Sequence, residues 1–177
     1  MHETPDDLAM LQAVLDESYA AAGPHLLEIS APERRLDAAG VARALNGMKL
    51  LVLATSTADG RPIAGPVDGI FYRGRFHFGS SPESVRFRHI KARPAVSATH
   101  LPGEHLAITV HGDAEIIDVR APEHAGFLET LLGYYVPRYG EAWAQMLDQG
   151  ALYARINPRR MFTFWMSQEE LAHYPEP

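Results

Sequence analysis

The chain of 177 residues has no cysteine. Disulfides, thiolate metal sites and a cysteine nucleophile are therefore excluded, and a reducing compartment is compatible. No apolar run approaches the length that spans a bilayer. The opening MHETPDDLAM is acidic and lacks the apolar centre of a secretion signal, so a cytoplasmic protein with no membrane partner is expected. Positive charge is scarce as well. Sixteen Lys and Arg face 22 Asp and Glu, a net charge of −6, which argues against nucleic-acid binding by bulk electrostatics. Nine histidines are present, yet none stands in an H-x-H or H-E-x-x-H pair. His105, His111 and Asp113 share a parity along one strand, but the histidines lie about 20 Å apart at strand rise, too far to share an ion. No metal site and no catalytic acid–base triad is expected.

What is present is an ordinary globular composition, 46% hydrophobic, enough for one core. Thr4-Pro5-Asp6-Asp7 has the form of a helix start: a capping threonine, a proline at the first position, acids in the first turn. Leu8, Leu11, Leu15 and Tyr19 follow at helical spacing until Gly23-Pro24. A second helix is expected over about 32–46. Residues 1–46 thus read as a helical N-terminal extension packed on a domain of residues 47–177. There the pattern becomes that of strands, over 49–56, 63–72, 76–78, 95–100 and 105–119, with turn residues between them. On the longest, Leu106, Ile108, Val110 and Gly112 share one face and Ala107, Thr109, His111 and Asp113 the other. A helical region over 121–149 breaks near Pro137, and its segment Leu131-Leu132-Gly133-Tyr134-Tyr135 reads as packing a helix against the barrel, with completion of a ligand cavity as the alternative. Segments 152–156 and 161–166 are two further apolar stretches, separated by Asn157-Pro158. The sum is mainly β with peripheral helices. A small antiparallel barrel suits it, because closure removes exposed strand edges.

The scarce positive charge is concentrated. Arg73, Arg75, Arg86, Arg88, Lys91 and Arg93 face only Glu83, so the window 73–93 carries +5 and the remainder −11. Within it, HFGSSPESVRFRHIK joins the end of an aromatic strand to a short basic helix. Ser81 with Pro82 has the form of an N-cap and first helical residue. The free amides of a helix start attract anions, and Gly79 allows close approach. Spacing alone nevertheless favours a solvated basic helix over an anion seat.

The order of segments over 48–117 resembles the pyridoxamine 5′-phosphate oxidase-like, FMN-binding split-barrel family. The carrying pieces are the turn Asp59-Gly60-Arg61-Pro62, the basic helix after the third strand, Arg93-Pro94-Ala95-Val96-Ser97, and Val110-His111-Gly112-Asp113-Ala114-Glu115. A looser echo runs over 155–165. The resemblance implies an antiparallel split β-barrel, a homodimer with FMN at the subunit interface, and oxidoreductase action on a small organic substrate. It implies that Ser84 and Arg86 hold the cofactor phosphate. Arg88 matches a second basic position of members that use the deazaflavin coenzyme (F-420). Phe78, Gly79 and Ser80 would lie along the cofactor, the backbone of Pro66, Val67 and Asp68 would face its rings, and Trp165 would reach in from the partner chain. A flavin carries the redox chemistry itself, so no catalytic side chain is required.

Departures narrow the implication. Val85-Arg86 stands where the oxidase proper has an Arg-Lys pair. The second strand, Gly65-Pro66-Val67-Asp68-Gly69-Ile70, has no cation, and the C-terminal SQEELAHYPEP is not a basic tail. A true pyridoxamine phosphate oxidase is therefore not expected. A deazaflavin-dependent reductase is the alternative. A haem- or flavin-binding protein without turnover is another, with His77 or His111 as the haem's axial ligand.

Overall fold

In the computed structural model, which describes residues 1–173, the apolar alternation becomes the wall of a six-stranded antiparallel barrel. Its strands are β1 (Met48–Ser56), β2 (Pro62–Tyr72), β3 (Arg75–Ser80), β4 (Ala95–Gly103), β5 (Leu106–Ile117) and β6 (Leu152–Trp165). Around the barrel they run β1-β2-β3-β6-β5-β4. Leu51, Leu53, Phe71, Phe76, Phe78, Ile108, Val110 and Ile156 turn inward and are buried. The faces of β5 divide as the sequence indicated. Arg73 and Gly74 join β2 to β3 with positive φ at both positions (48° and 75°). That is the two-residue turn whose twist matches a hairpin, and Gly74 makes it accessible.

The barrel is split on two sides. β1 and β4 pair only over Val52–Ala54 and Ser97–Thr99. β6 pairs with β3 only over Leu152–Arg155 while continuing along β5 to Trp165. Helix α1 (Pro5–Ala20) covers the edge of β6 left free beyond Arg155. Ser18 Oγ accepts from the Met161 amide at 2.9 Å. Tyr19 Oη accepts from the Thr163 amide at 2.8 Å and donates to the Thr163 carbonyl at 2.9 Å. Side chains thus satisfy backbone groups that a strand would otherwise pair. Leu11 and Leu15 of α1, with Val41 and Leu45, join the barrel's own core.

Several boundaries differ from the sequence expectation. The second N-terminal helix is instead α2 (Pro24–Ile29), a 3-10 turn at Pro32–Arg34, and α3 (Ala38–Ala44). Asp37 starts α3 by accepting from the Gly40 amide. β6 is one strand, not two segments. Asn157-Pro158 is accommodated by a bulge opposite Gly112, where a Cβ would collide with the Asn157 carbonyl. The later helical region is α5 (Ala125–Tyr139) and α6 (Glu141–Asp148). Their break falls at Gly140, φ +80°, and Pro137 is tolerated in the last turn of α5. A short α7 (Gln168–Ala172) follows β6. The closing residues 174–177 of the acidic C-terminal segment lie outside the described ones. Among the described residues no helix is long and apolar enough to cross a membrane.

Candidate cofactor site

The basic helix α4 (Val85–Ala92) starts three residues later than spacing suggested. Ser81-Pro82-Glu83-Ser84 is a turn, closed by the Ser84 amide on the Ser81 carbonyl at 3.0 Å. Serine at the first position and proline at the second favour that turn. The N-cap is Ser84, whose Oγ accepts from the Phe87 amide at 3.2 Å. The Arg88 amide bonds the Ser84 carbonyl. The amides of Val85 and Arg86 lie ahead of the first intrahelical bond and have no backbone partner.

Packing fixes where this helix end points. Phe87 and Ile90, three residues apart, are buried against the barrel. His89 bonds Thr55 Oγ1 at 2.9 Å, and Arg93 Nε donates to the Ser56 carbonyl at 3.0 Å, so α4 is tied to β1. Arg86 is half-buried and turns to β2, where its guanidinium donates to the Pro66 carbonyl at 2.9 Å. Burial pulls its pKa below the usual arginine value. Desolvation makes a guanidinium seek an anion, yet among the described residues no carboxylate pairs with Arg86. A recess of about 190 Å³ opens beside it, lined by Ser84, Val85 and Arg86 and by Leu53, Thr55, Ile63, Ala64 and Gly65. Gly65 lies against the guanidinium. Arg88 is exposed one turn beyond Ser84, and its side chain makes no hydrogen bond or ion pair among the described residues.

The remaining expected residues divide by strand parity. Pro66 and Asp68 lie on the outer face of β2, whereas Val67 is buried in the barrel. Phe78 is also core, 1% exposed, and packs near Phe87. Val67 and Phe78 thus offer a ligand only backbone. Gly79 faces outward, and Ser80 ends β3 beside it. A Cβ on Gly79 would stand 2.6 Å from the Tyr153 ring, so glycine is what lets that ring lie across β3. Trp165 is at the far end of β6, opposite Leu106 and away from Leu152, which pairs with Ser80. Within one chain it is not brought to the others.

Next to this row lies a cavity of about 350 Å³, closed by α5 and α6 over the outer face of β2, β3 and β6. Asp68, His77, Gly79, Ser80, Tyr135, Trp143 and Tyr153 line it. Tyr135 stacks on Trp143 with ring centres 4.3 Å apart and planes 3° from parallel. Burial, then the negative charge of Asp68, pushes the hydroxyls of Tyr135 and Tyr153 well above the tyrosine range, so both stay protonated. His77 is 4% exposed, stacked on Phe127 at 4.2 Å, with Nδ1 on the Arg75 carbonyl at 3.1 Å. Burial lowers its pKa to about 3, so it is neutral. A carbonyl only accepts, so Nδ1 carries the proton and Nε2 a lone pair.

Sequence reasoning weighed a ligand cavity for Tyr135 but gave no such role to Trp143 or Tyr153. Leu131 and Tyr135, read as packing, pack and also line the cavity. The available signal was Gly79: a glycine inside an aromatic strand marks a close approach. His111, the other histidine considered, bonds Ser97 Oγ through Nδ1 at 2.7 Å on the exposed face of β5. Among the described residues no group of three His, Asp or Glu is placed to hold a metal ion.

The pyridoxamine 5′-phosphate oxidase family matches the chain over residues 39–163. Among solved structures, a conserved hypothetical protein from Mycobacterium tuberculosis is similar in fold, with TM-score 0.63 and 20% identity, over 82% of this chain and 93% of that one. An FAD-binding protein from Mesorhizobium loti has TM-score 0.55 and 18% identity, over 73% of this chain and 93% of that one. The heme storage protein from Vibrio cholerae has TM-score 0.55 and 19% identity, over 66% of this chain and 85% of that one. No curated protein matches the chain in sequence.

Proposed function

The chain belongs to the pyridoxamine 5′-phosphate oxidase family, and from that premise we propose that it is an FMN-binding oxidoreductase acting on a small organic substrate. The observation that carries this reading is Arg86, a half-buried guanidinium with no carboxylate partner beside two unpaired helix amides and a recess. Those groups fit a phosphate. Bound there, a flavin supplies hydride or electron transfer, and the protein supplies its position. Arg86 and the Val85 and Arg86 amides neutralise the phosphate, and the Ser84 hydroxyl keeps a proton to donate. Pro66 and Asp68 on β2 and Gly79 and Ser80 on β3 form the adjoining wall along which the rings extend. The tyrosines and Trp143 wall the substrate side and exclude water.

The substrate is not pyridoxamine phosphate. The outward residues of β2, from Ala64 through Pro66, Asp68 and Ile70 to Tyr72, include no cation, and Val85 is an exposed apolar residue. The deazaflavin coenzyme is the second reading. Arg88, exposed and unpaired on the Ser84 side of α4, is free to meet a longer phosphate-bearing tail. For haem, Phe127 covers one face of His77 and Nδ1 is engaged, leaving only Nε2 for a ligand.

We also propose a homodimer. Leu50, Val52 and Leu101 are 63%, 53% and 62% exposed on the outer face of β1 and β4. Leu50 pairs in register with Asp68, so this apolar face runs up to the cofactor wall. A second copy seated there would cover it and bring its own Trp165 into range. The test is equilibrium titration of the purified chain with FMN and, separately, with the deazaflavin coenzyme, each followed by gel filtration. FMN migrating with the protein supports the first reading, and retention of the deazaflavin alone replaces it with the second. Retention of neither refutes both.

A further inference from the structure

We propose that the cavity beneath α5 and α6 selects a small organic cation, an aromatic or apolar amine, with Asp68 as its counter-ion. Asp68 is the one formally charged side chain among the cavity's described lining residues. No Lys or Arg is among the described lining residues. Arg155 and Arg75, whose charges reach the lining His77, lie behind it, and Arg155 is paired with Glu115 by bonds of 2.9 and 3.1 Å. An anion entering the cavity would therefore meet a carboxylate and no cation in the lining, whereas an ammonium would meet its partner.

The rest of the lining has the same preference. His77 is neutral, and its Nδ1–H donates to the Arg75 carbonyl, so its second nitrogen can only accept. The β2–β3 pairing ends at Gly69 and Phe78, and Asp68 and Gly79 are the next residues on the two strands; the Tyr153 ring lies over Gly79 and feels the Asp68 charge, so an aromatic face borders the carboxylate. The parallel Tyr135–Trp143 pair supplies a second one. Aromatic faces attract cations as well as apolar rings. At about 350 Å³ the cavity has the size of a small-ligand site. Nothing in it requires the ligand to carry a phosphate, which distinguishes it from the recess at α4. That the cation is the substrate rests on the flavin reading; the cavity's charge preference does not.

Three probes of one shape separate charge from fit: 2-naphthylmethylammonium, 2-naphthylmethanol and 2-naphthoate. Calorimetric titration of the full chain, once freed of flavin and once supplied with FMN, gives their affinities, and flavin absorbance reports cofactor retention independently. The ammonium is expected to bind at least about tenfold more tightly than either other probe, the worth of a charge-assisted bond. Asp68→Asn is expected to abolish that margin and Asp68→Glu to keep most of it. Equal affinities, tighter naphthoate, no measurable ammonium binding, or a margin that survives Asp68→Asn would each overturn the proposal. A chain that prefers the ammonium but retains no FMN would keep the cavity's selectivity and remove the flavin reading.

Discussion

Arg86→Ala is the sharpest perturbation of the phosphate seat. In the ligand-free chain the substitution removes one hydrogen bond, to the Pro66 carbonyl, worth about 0.5–1.5 kcal/mol. It also removes the cost of holding a half-buried cation, whose lowered pKa records that cost. The two effects oppose each other, so thermal stability should change little. In the FMN complex the loss is larger. A guanidinium bonded to a phosphate oxygen is worth about 1.5–3 kcal/mol, which is roughly tenfold to a hundredfold in Kd. Riboflavin has the same rings and no phosphate, and it supplies the control. Titration by flavin fluorescence should show FMN affinity falling by that factor while riboflavin affinity is unchanged. A parallel fall for both flavins would place the damage in the fold. No fall for either would show that Arg86 only braces β2.

Gly79→Ala should destabilise the chain by about 1–3 kcal/mol in urea unfolding, because its Cβ drives the Tyr153 ring out of its place; in a Tyr153→Ala background, itself destabilised by loss of a buried ring, the added cost of Gly79→Ala should largely vanish, and an unchanged midpoint for Gly79→Ala alone would refute the close packing. His77 gives a pH dependence. Its pKa falls from 6.5 to about 3 on folding, so the unfolded chain binds the extra proton between those values and stability drops as pH falls through that window. The slope from this residue is at most about 1.4 kcal/mol per pH unit, and His77→Phe, which keeps a ring on Phe127, should flatten it; identical slopes for both chains would contradict the assignment. Leu50→Lys, on the exposed apolar face, should convert a dimer to a monomer in sedimentation analysis and weaken FMN binding, and a monomeric wild-type chain would end the interface proposal.

The barrel was legible because its signal is periodic. The alternation of β5 assigned both faces correctly, and Asp59-Gly60 and Arg73-Gly74 marked the hairpin turns at the right places. Local ambiguity cost the helix starts. Ser81-Pro82 and Ser84 are both acceptable caps, and only the burial of Phe87 and Ile90 chooses the second. β6 was divided because proline ordinarily ends a strand. The bulge that admits Asn157-Pro158 depends on Gly112, on another strand. Ser84 and Arg86, proposed from motif order, meet at one recess. The cavity was legible only as an alternative for the segment Leu131 to Tyr135, and its other walls were not. It requires α5 and α6 to fold back over β2 and β3, a long-range arrangement with no local spacing. Phe78 shows the reverse limit: it lies in the motif, yet strand parity turns its side chain into the core.

The central claim is that a flavin phosphate sits at the start of α4. A crystal structure of the chain grown with FMN tests it most directly. The phosphate oxygens should lie within hydrogen-bond distance of the Arg86 guanidinium and the Val85 and Arg86 amides, with the rings along Pro66, Asp68, Gly79 and Ser80. A flavin bound elsewhere, with Arg86 still on the Pro66 carbonyl and no phosphate beside it, would contradict the claim.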